Sequence, residues 1–228
     1  MNDHVHDLAL LNDATDRLLA RASGLDNAAV AEPSRLPGWT RGHVLAHLAR
    51  NADALLNVLA GRPMYAGAEA RNADIARDAP RPLDAQLQDV RATADAFAAA
   101  ADASADWSRT VELRNGVTDS ASRVPFRRLV EVELHHVDLG IGYELEDLPE
   151  EFTGREIAFL ADRFTGSATV PPTTLTAADG QRWTTGGADG EPVTVTGGAA
   201  DLLGWLAGRR DGSALTASGG PLPVLPPL

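Results

Sequence analysis

The chain has 228 residues, 44% hydrophobic and 23% charged, with 32 acidic against 20 basic residues and a formal net charge of -12. Such a length and balance exclude a wholly disordered, collagen-like or disulfide-stapled chain and predict one large or two small domains with a sizeable core. The negative charge argues against nucleic acid or anionic membrane as a partner, because attraction to phosphate is the main non-specific contribution in both. Every basic residue is arginine and cysteine is absent. The chain therefore has no disulfide, no Cys-ligated zinc and no cysteine nucleophile, and any thiol chemistry must use a sulfur brought in from outside. Asp3, Asp7, Asp13 and Asp16 give the N-terminus none of the pattern of a signal peptide. No apolar run approaches the ~18 residues of a membrane span. A soluble, cytoplasmic monomer is expected.

Residues 2–24 are predicted to form a helix, with Leu8, Leu11, Leu18 and Ala22 on one stripe. Pro33, Pro37 and Gly38 break the chain, and Thr40 is placed to cap a second helix running to about Gly61 on the stripe Val44, Leu48, Leu55 and Leu59. Residues 62–81, rich in Arg, Asp, Pro and Gly, read as a long connection. Residues 83–105 form a third helix through Leu83, Leu87, Val90, Ala94 and Phe97, and 106–121 a second connection. A fourth helix starts between Ser122 and Pro125 and reaches about Leu139. Glu144 to Glu151, with Pro149, reads as a linker.

Beyond the linker the pattern changes. A short helix over 154–165 is followed by strands at Thr173–Ala177, Trp183–Thr185 and Pro192–Thr196, separated by Asp-Gly and Gly-Gly and read as hairpins. A helix with Leu202, Leu203, Trp205 and Leu206 and a strand near Ala214–Ala217 complete the chain. The expected fold class is α+β: a four-helix bundle over 1–145 and a small α/β domain over 146–228.

Six histidines are candidates for chemistry: His4, His6, His43, His47, His135 and His136. His4 and His6 lie near a frayed end. His47 falls between Val44 and Leu48, so it faces the bundle interior. Glu131 and His135 are spaced i, i+4 and share a helix face. Carboxylates and imidazoles at this spacing build metal sites inside bundles, and two imidazoles with one carboxylate suit zinc with an open position, nickel being compatible by ligand type. Two bland alternatives stand beside this reading. Arg128, Glu131, His135 and Asp138 also fit a solvated stripe of ion pairs, and His43 with His47 makes an equally spaced pair.

The segment Leu36-Pro37-Gly38-Trp39-Thr40-Arg41-Gly42-His43-Val44-Leu45-Ala46-His47-Leu48 resembles the start of the second helix in mycothiol-dependent maleylpyruvate isomerases, within the wider DinB-like metal-binding bundles. Glu131-Val132-Glu133-Leu134-His135-His136-Val137-Asp138-Leu139-Gly140 is similar to that family's Glu-x-x-x-His-x-x-Asp-Leu element, and Asp201 to Arg209 resembles its C-terminal Trp-Leu-x-Gly-Arg helix. The resemblance implies a DinB-like four-helix bundle, a small C-terminal domain, the metal ligands His47, Glu131 and His135, and mycothiol as cofactor beside a divalent ion, zinc first. His136 would point about 100° away from His135. The implied reaction is isomerisation of maleylpyruvate: a thiolate adds to the cis double bond, the bond rotates, and the thiolate leaves to give fumarylpyruvate. Arg209 is the candidate cation for the developing enolate, with Arg210 the neighbour that competes for the role and a helix-terminal contact as its ordinary alternative. Asp138 is placed to orient a ligand histidine, and Trp39 and Trp205 read as packing residues. The same site would serve a mycothiol S-transferase acting on electrophiles, and a non-catalytic metal-binding module is the third reading.

Overall fold

In the computed structural model, residues 4–103 and 106–227 are described. The chain divides after Tyr143 into two compact units.

The first unit is built on four long helices, α1 (His4–Ala22), α3 (Arg41–Leu59), α5 (Leu83–Asp102) and α6 (Val124–Asp138), with a short α2 (Asn27–Val30) between the first two. α3 packs on α5 and α6, and α1 packs on α6 and α5, closing a ring around one core. Leu11, Leu18, Val44, Leu48, Leu55, Val90 and Phe97 are buried there, as their helical spacing dictates. The start of α3 is set by a reciprocal cap: the Thr40 hydroxyl accepts from the His43 amide, and His43 Nδ1 accepts from the Thr40 amide, each at 3.3 Å. His43 is thereby occupied as a capping residue.

Two connections contain structure that the sequence pattern does not signal. Residues 62–81, expected as a connection, carry α4 (Ala68–Asp78), whose single large apolar side chain is Ile75. One apolar residue makes no stripe, so α4 depends instead on ion pairs of Arg77 with Asp74 and Asp78, and of Arg50 with Asp78 at 3.6 Å. Residues 106–121 carry an antiparallel pair, β1 (Thr110–Glu112) and β2 (Thr118–Ser120). Its strands are three residues long, too short to show alternation, and only Val111 is buried.

The second unit has α7 (Glu150–Arg163), β3 (Thr173–Ala177), β4 (Arg182–Thr185), β5 (Val193–Gly197), α8 (Ala199–Leu206) and β6 (Thr216–Ser218). α7 begins inside the acidic stretch expected as a linker, because Pro149 precedes it and Glu150 and Glu151 suit a helix N-terminus. The sheet order is β4-β3-β5-β6. The Asp179-Gly180 turn makes the expected hairpin of β3 and β4, but the Gly186-Gly187 stretch does not make a second one: β5 pairs parallel to β3 on its other edge. Gly186 lies so close to the chain before β3 that a Cβ would sit 2.0 Å from the Pro171 carbonyl oxygen, and the Gly187 amide donates to the Val170 carbonyl at 2.8 Å. This contact leads the chain away from β4 before β5 begins. Trp205 is buried on α8. No helix among the described residues is long and apolar enough to cross a membrane.

Gly42, in the first turn of α3, lets α4 close over that turn. A Cβ there would lie 2.1 Å from the Ala79 carbonyl oxygen and 2.8 Å from Val30 Cγ1. Gly42→Ala should therefore cost about 1–3 kcal/mol through overpacking, read as a Tm lower by several degrees. An unchanged Tm would show that α4 is not closely seated at this end.

Candidate metal centre

His47 on α3 and Glu131 and His135 on α6 meet between the two helices of the first unit, with His47 buried and Glu131 a third exposed. His47 Nε2 lies 2.9 Å and His135 Nε2 3.2 Å from the same Glu131 oxygen, Oε2. One donor atom from each of the three lies within 4.8 Å of the others. The imidazoles stand edge to face, 88° apart with centroids 4.7 Å apart, so their nitrogens converge on the carboxylate. His47 is 4% exposed, and the Trp39 ring lies edge-on to it at 5.6 Å.

The solvated-stripe reading of α6 does not hold. Arg128 and Asp138 are 1% and 0% exposed, and they flank the triad inside the helix interface. Asp138 Oδ2 accepts from His135 Nδ1 at 2.8 Å, turning Nε2 toward Glu131. Arg128 and Asn51 form the next rung of the α3–α6 interface, with Nη1 donating to Asn51 Oδ1 at 2.8 Å. His47 pairs with residue 131 and Asn51 with residue 128, so the two helices run antiparallel here. Arg128 Nη2 is buried with no hydrogen-bond partner among the described residues. Burial lowers the Arg128 pKa to about 10, so the guanidinium still keeps its charge at neutral pH beside the triad.

Arg71, on α4, escapes a reading of the sequence because the helix that presents it carries no periodic signal. Its Nη2 lies 3.2 Å from His47 Nδ1. A guanidinium can only donate, so this contact leaves the His47 proton on Nε2, facing Glu131. For Nε2 to become a metal ligand the proton must move to Nδ1, and Arg71 must release it. The donor set otherwise fits a divalent ion: two imidazoles and one carboxylate, with a carboxylate behind one imidazole.

The remaining candidates fall elsewhere. His43 caps α3, and the His4 ring stacks on Trp107 at 4.3 Å. His136 faces away from the triad and stacks on Tyr143 at 3.8 Å. In the second unit Arg209 Nη1 donates to the Ala207 carbonyl at 2.7 Å. Arg210 is held by both oxygens of Glu146, at 2.7 and 2.9 Å, and by Asp201 at 2.6 Å.

Burial pushes the His47 pKa down to about 4, against the opposing hydrogen bond from Glu131. Burial acts the same way on His135, but its bonds to Asp138 and Glu131 outweigh it and raise the pKa. Desolvation would raise Glu131, yet the bonds from His135 and His47 hold it well below the usual carboxylate range. An unfolded chain protonates His47 near 6.5 and the folded chain only near 4, so this residue subtracts stability as pH falls through that window. His135 acts in reverse: its contribution is present below 6.5 and is lost as pH rises through its folded value. In metal-free protein, histidine side-chain 15N NMR should show His47 neutral down to about pH 4 and His135 protonating above 6.5. Titration of both rings together near 6.5 would contradict this arrangement.

A family model described as the mycothiol maleylpyruvate isomerase N-terminal domain matches residues 11–140, and one for the corresponding C-terminal domain matches residues 147–227. No curated protein matches the chain. Among solved structures, a crystal structure of the mycothiol-dependent maleylpyruvate isomerase is 29% identical, with a TM-score of 0.89 over 99% of this chain and 97% of that one. A histidine-to-alanine variant of that enzyme aligns at the same identity and coverage with a TM-score of 0.88.

Proposed function

Because the chain belongs to the mycothiol maleylpyruvate isomerase family, we propose that it is a mycothiol-dependent cis–trans isomerase that converts maleylpyruvate to fumarylpyruvate, using a divalent metal ion, zinc first, held by His47, Glu131 and His135. The observation that carries the site is the convergence of two imidazoles on one Glu131 oxygen at 2.9 and 3.2 Å. A bound ion would supply the Lewis acidity that ionises a thiol at neutral pH, and a thiolate can add to the cis double bond, allow rotation and leave.

The chain's own residues set the conditions for this chemistry. Asp138 holds the Nδ1 proton of His135 and so keeps the Nε2 lone pair turned inward. Glu131 stays ionised, as a ligand must. Trp39 walls the His47 ring and limits its rotation. The buried Arg128 charge adds positive potential one helical turn from the triad, which favours anionic reactants in an otherwise acidic protein. The chain holds no cysteine that could replace the external sulfur.

Arg209 is the proposed cation for the developing enolate. Arg210 is paired with Glu146 and Asp201, and Arg209 is preferred because it is the arginine that ends the segment resembling the family's Trp-Leu-x-Gly-Arg helix. The reading includes a cytoplasmic enzyme that works as a monomer.

The test is turnover of maleylpyruvate with and without mycothiol, the product being identified by NMR. Catalytic thiol should support many turnovers, and metal removal should abolish them. Equal rates without thiol would sink the proposal, and stoichiometric thiol consumption with a conjugate as product would make the protein an S-transferase. His47→Ala and His135→Ala should lose bound metal on elemental analysis, whereas His136→Ala should keep it. Arg209→Ala should lower kcat by ~10²-fold or more while metal content stays constant. A larger loss in Arg210→Ala would transfer the role to Arg210.

A further inference from the structure

A cavity of about 520 Å³ opens in the first unit between the segment that follows α3 and the β1–β2 hairpin, outside the triad. Its walls carry three guanidinium groups, Arg62, Arg109 and Arg114, and a single carboxylate, Glu112. Several other arginines of this unit, such as Arg50 on α3, Arg127 on α6 and Arg81 in the loop before α5, are paired with carboxylates. Among the described residues, Arg62 and Arg114 at the cavity make no such pair. Arg62 Nε donates to Asn57 Oδ1 at 3.1 Å, Arg109 donates to the Leu59 carbonyl and lies within electrostatic reach of Asp106, and Arg114 makes no side-chain hydrogen bond or ion pair among the described residues and lies near Tyr65. Acidic residues outnumber basic ones by 32 to 20 in this chain. Three arginines against one carboxylate in the lining of one hollow make a local reversal of sign in such a chain, and a concave positive surface concentrates anions.

Asn115 takes φ 60°, ψ 28°, the one positive φ outside glycine among the described residues, and Gly116 follows at φ 73°. Asn and Gly take this conformation readily, and it closes a tight turn at the edge of the cavity. The cavity also neighbours the triad. Tyr65 lines it, the Arg71 guanidinium lies 6.0 Å from the Tyr65 ring centre, and Arg71 reaches His47 Nδ1 at 3.2 Å. A volume near 500 Å³ accepts a small organic ligand.

We infer that this cavity is a binding site for a small organic acid, whose carboxylate is taken by Arg62, Arg109 and Arg114. Guanidinium forks match a carboxylate in two parallel hydrogen bonds and stay charged at any working pH. That the acid is the unsaturated dicarboxylate turned over at the triad rests on the isomerase reading; that the cavity takes a carboxylate does not.

The experiment is calorimetric titration of maleate into metal-stripped protein, with amide NMR shifts locating the site. Maleate should bind saturably, move the Asn115 and Gly116 amides, and bind roughly tenfold or more weakly to the Arg62→Gln/Arg114→Gln double variant. Both side chains are exposed, so the variant should fold as the parent does, which circular dichroism checks. Dimethyl maleate, which has the same shape without the charges, should not bind. Undiminished maleate binding by the double variant, equal binding of the diester, equally tight binding of inorganic phosphate, or shifts confined to residues outside the cavity would each overturn the inference. Maleate binding in a protein that fails to isomerise maleylpyruvate would remove the isomerase reading and leave this one standing. Turnover without maleate binding would do the reverse.

Discussion

A single carboxylate oxygen, Glu131 Oε2, faces the Nε2 atoms of two imidazoles inside the seam between α3 and α6. Burying a charged group is unfavourable unless it is paired and hydrogen-bonded, so the seam must bring its partners to within about 3 Å or not close at all. That requirement fixes the register of two antiparallel helices, because shifting either by one residue would swing its ligand through about 100° and out of the seam. The Arg128–Asn51 rung follows from the same register, one turn further along. The apolar side chains of α1 and α5 pack behind this seam, while Glu131 itself stays a third exposed.

The outer wall of the seam is made differently. α4 contributes almost no apolar surface, yet it carries Arg71 onto His47. It can approach because Gly42 has no side chain, and it is held by arginine–aspartate pairs rather than by a stripe. Pairs of this kind are weak in water and weaken further with salt. The element that bears directly on the tautomer of His47 is therefore held in part by a salt-sensitive attachment. That suits a residue whose hydrogen bond must be given up when Nε2 is to hold an ion.

Charge is distributed with the same economy of means. A chain that is acidic as a whole keeps a protonated, buried Arg128 beside the triad and gathers three further arginines at a hollow near it. Long-range repulsion of an anionic reactant falls off within about a Debye length, whereas fixed cations in a concave, partly dehydrated region act at short range and with less screening. The local sign can thus oppose the global one.

By itself, the sequence determined the features that depend on neighbours along the chain. Helical stripes placed the four bundle helices, Thr40 marked the start of α3, and the i, i+4 spacing put Glu131 and His135 on one face. The absence of cysteine required an external sulfur for any thiol chemistry. What depends on partners distant in the chain was decided by tertiary structure. Spacing could not choose between His43 and His47; His43 is taken by the Thr40 cap and His47 is the one that faces α6. Spacing also left Arg128 and Asp138 compatible with solvent, and only the packing of α3 against α6 buries them. α4 was invisible because one buried apolar residue, pairs within the helix and one ion pair to α3 carry no period, and Arg71 went with it. The direction of β5 was equally hidden: a Gly-Gly between two strands permits a hairpin, and it was the close approach of Gly186 to Pro171 that sent the chain to the far edge of β3 instead. A period along a chain reports which face of an element is apolar, but not which other element will cover it.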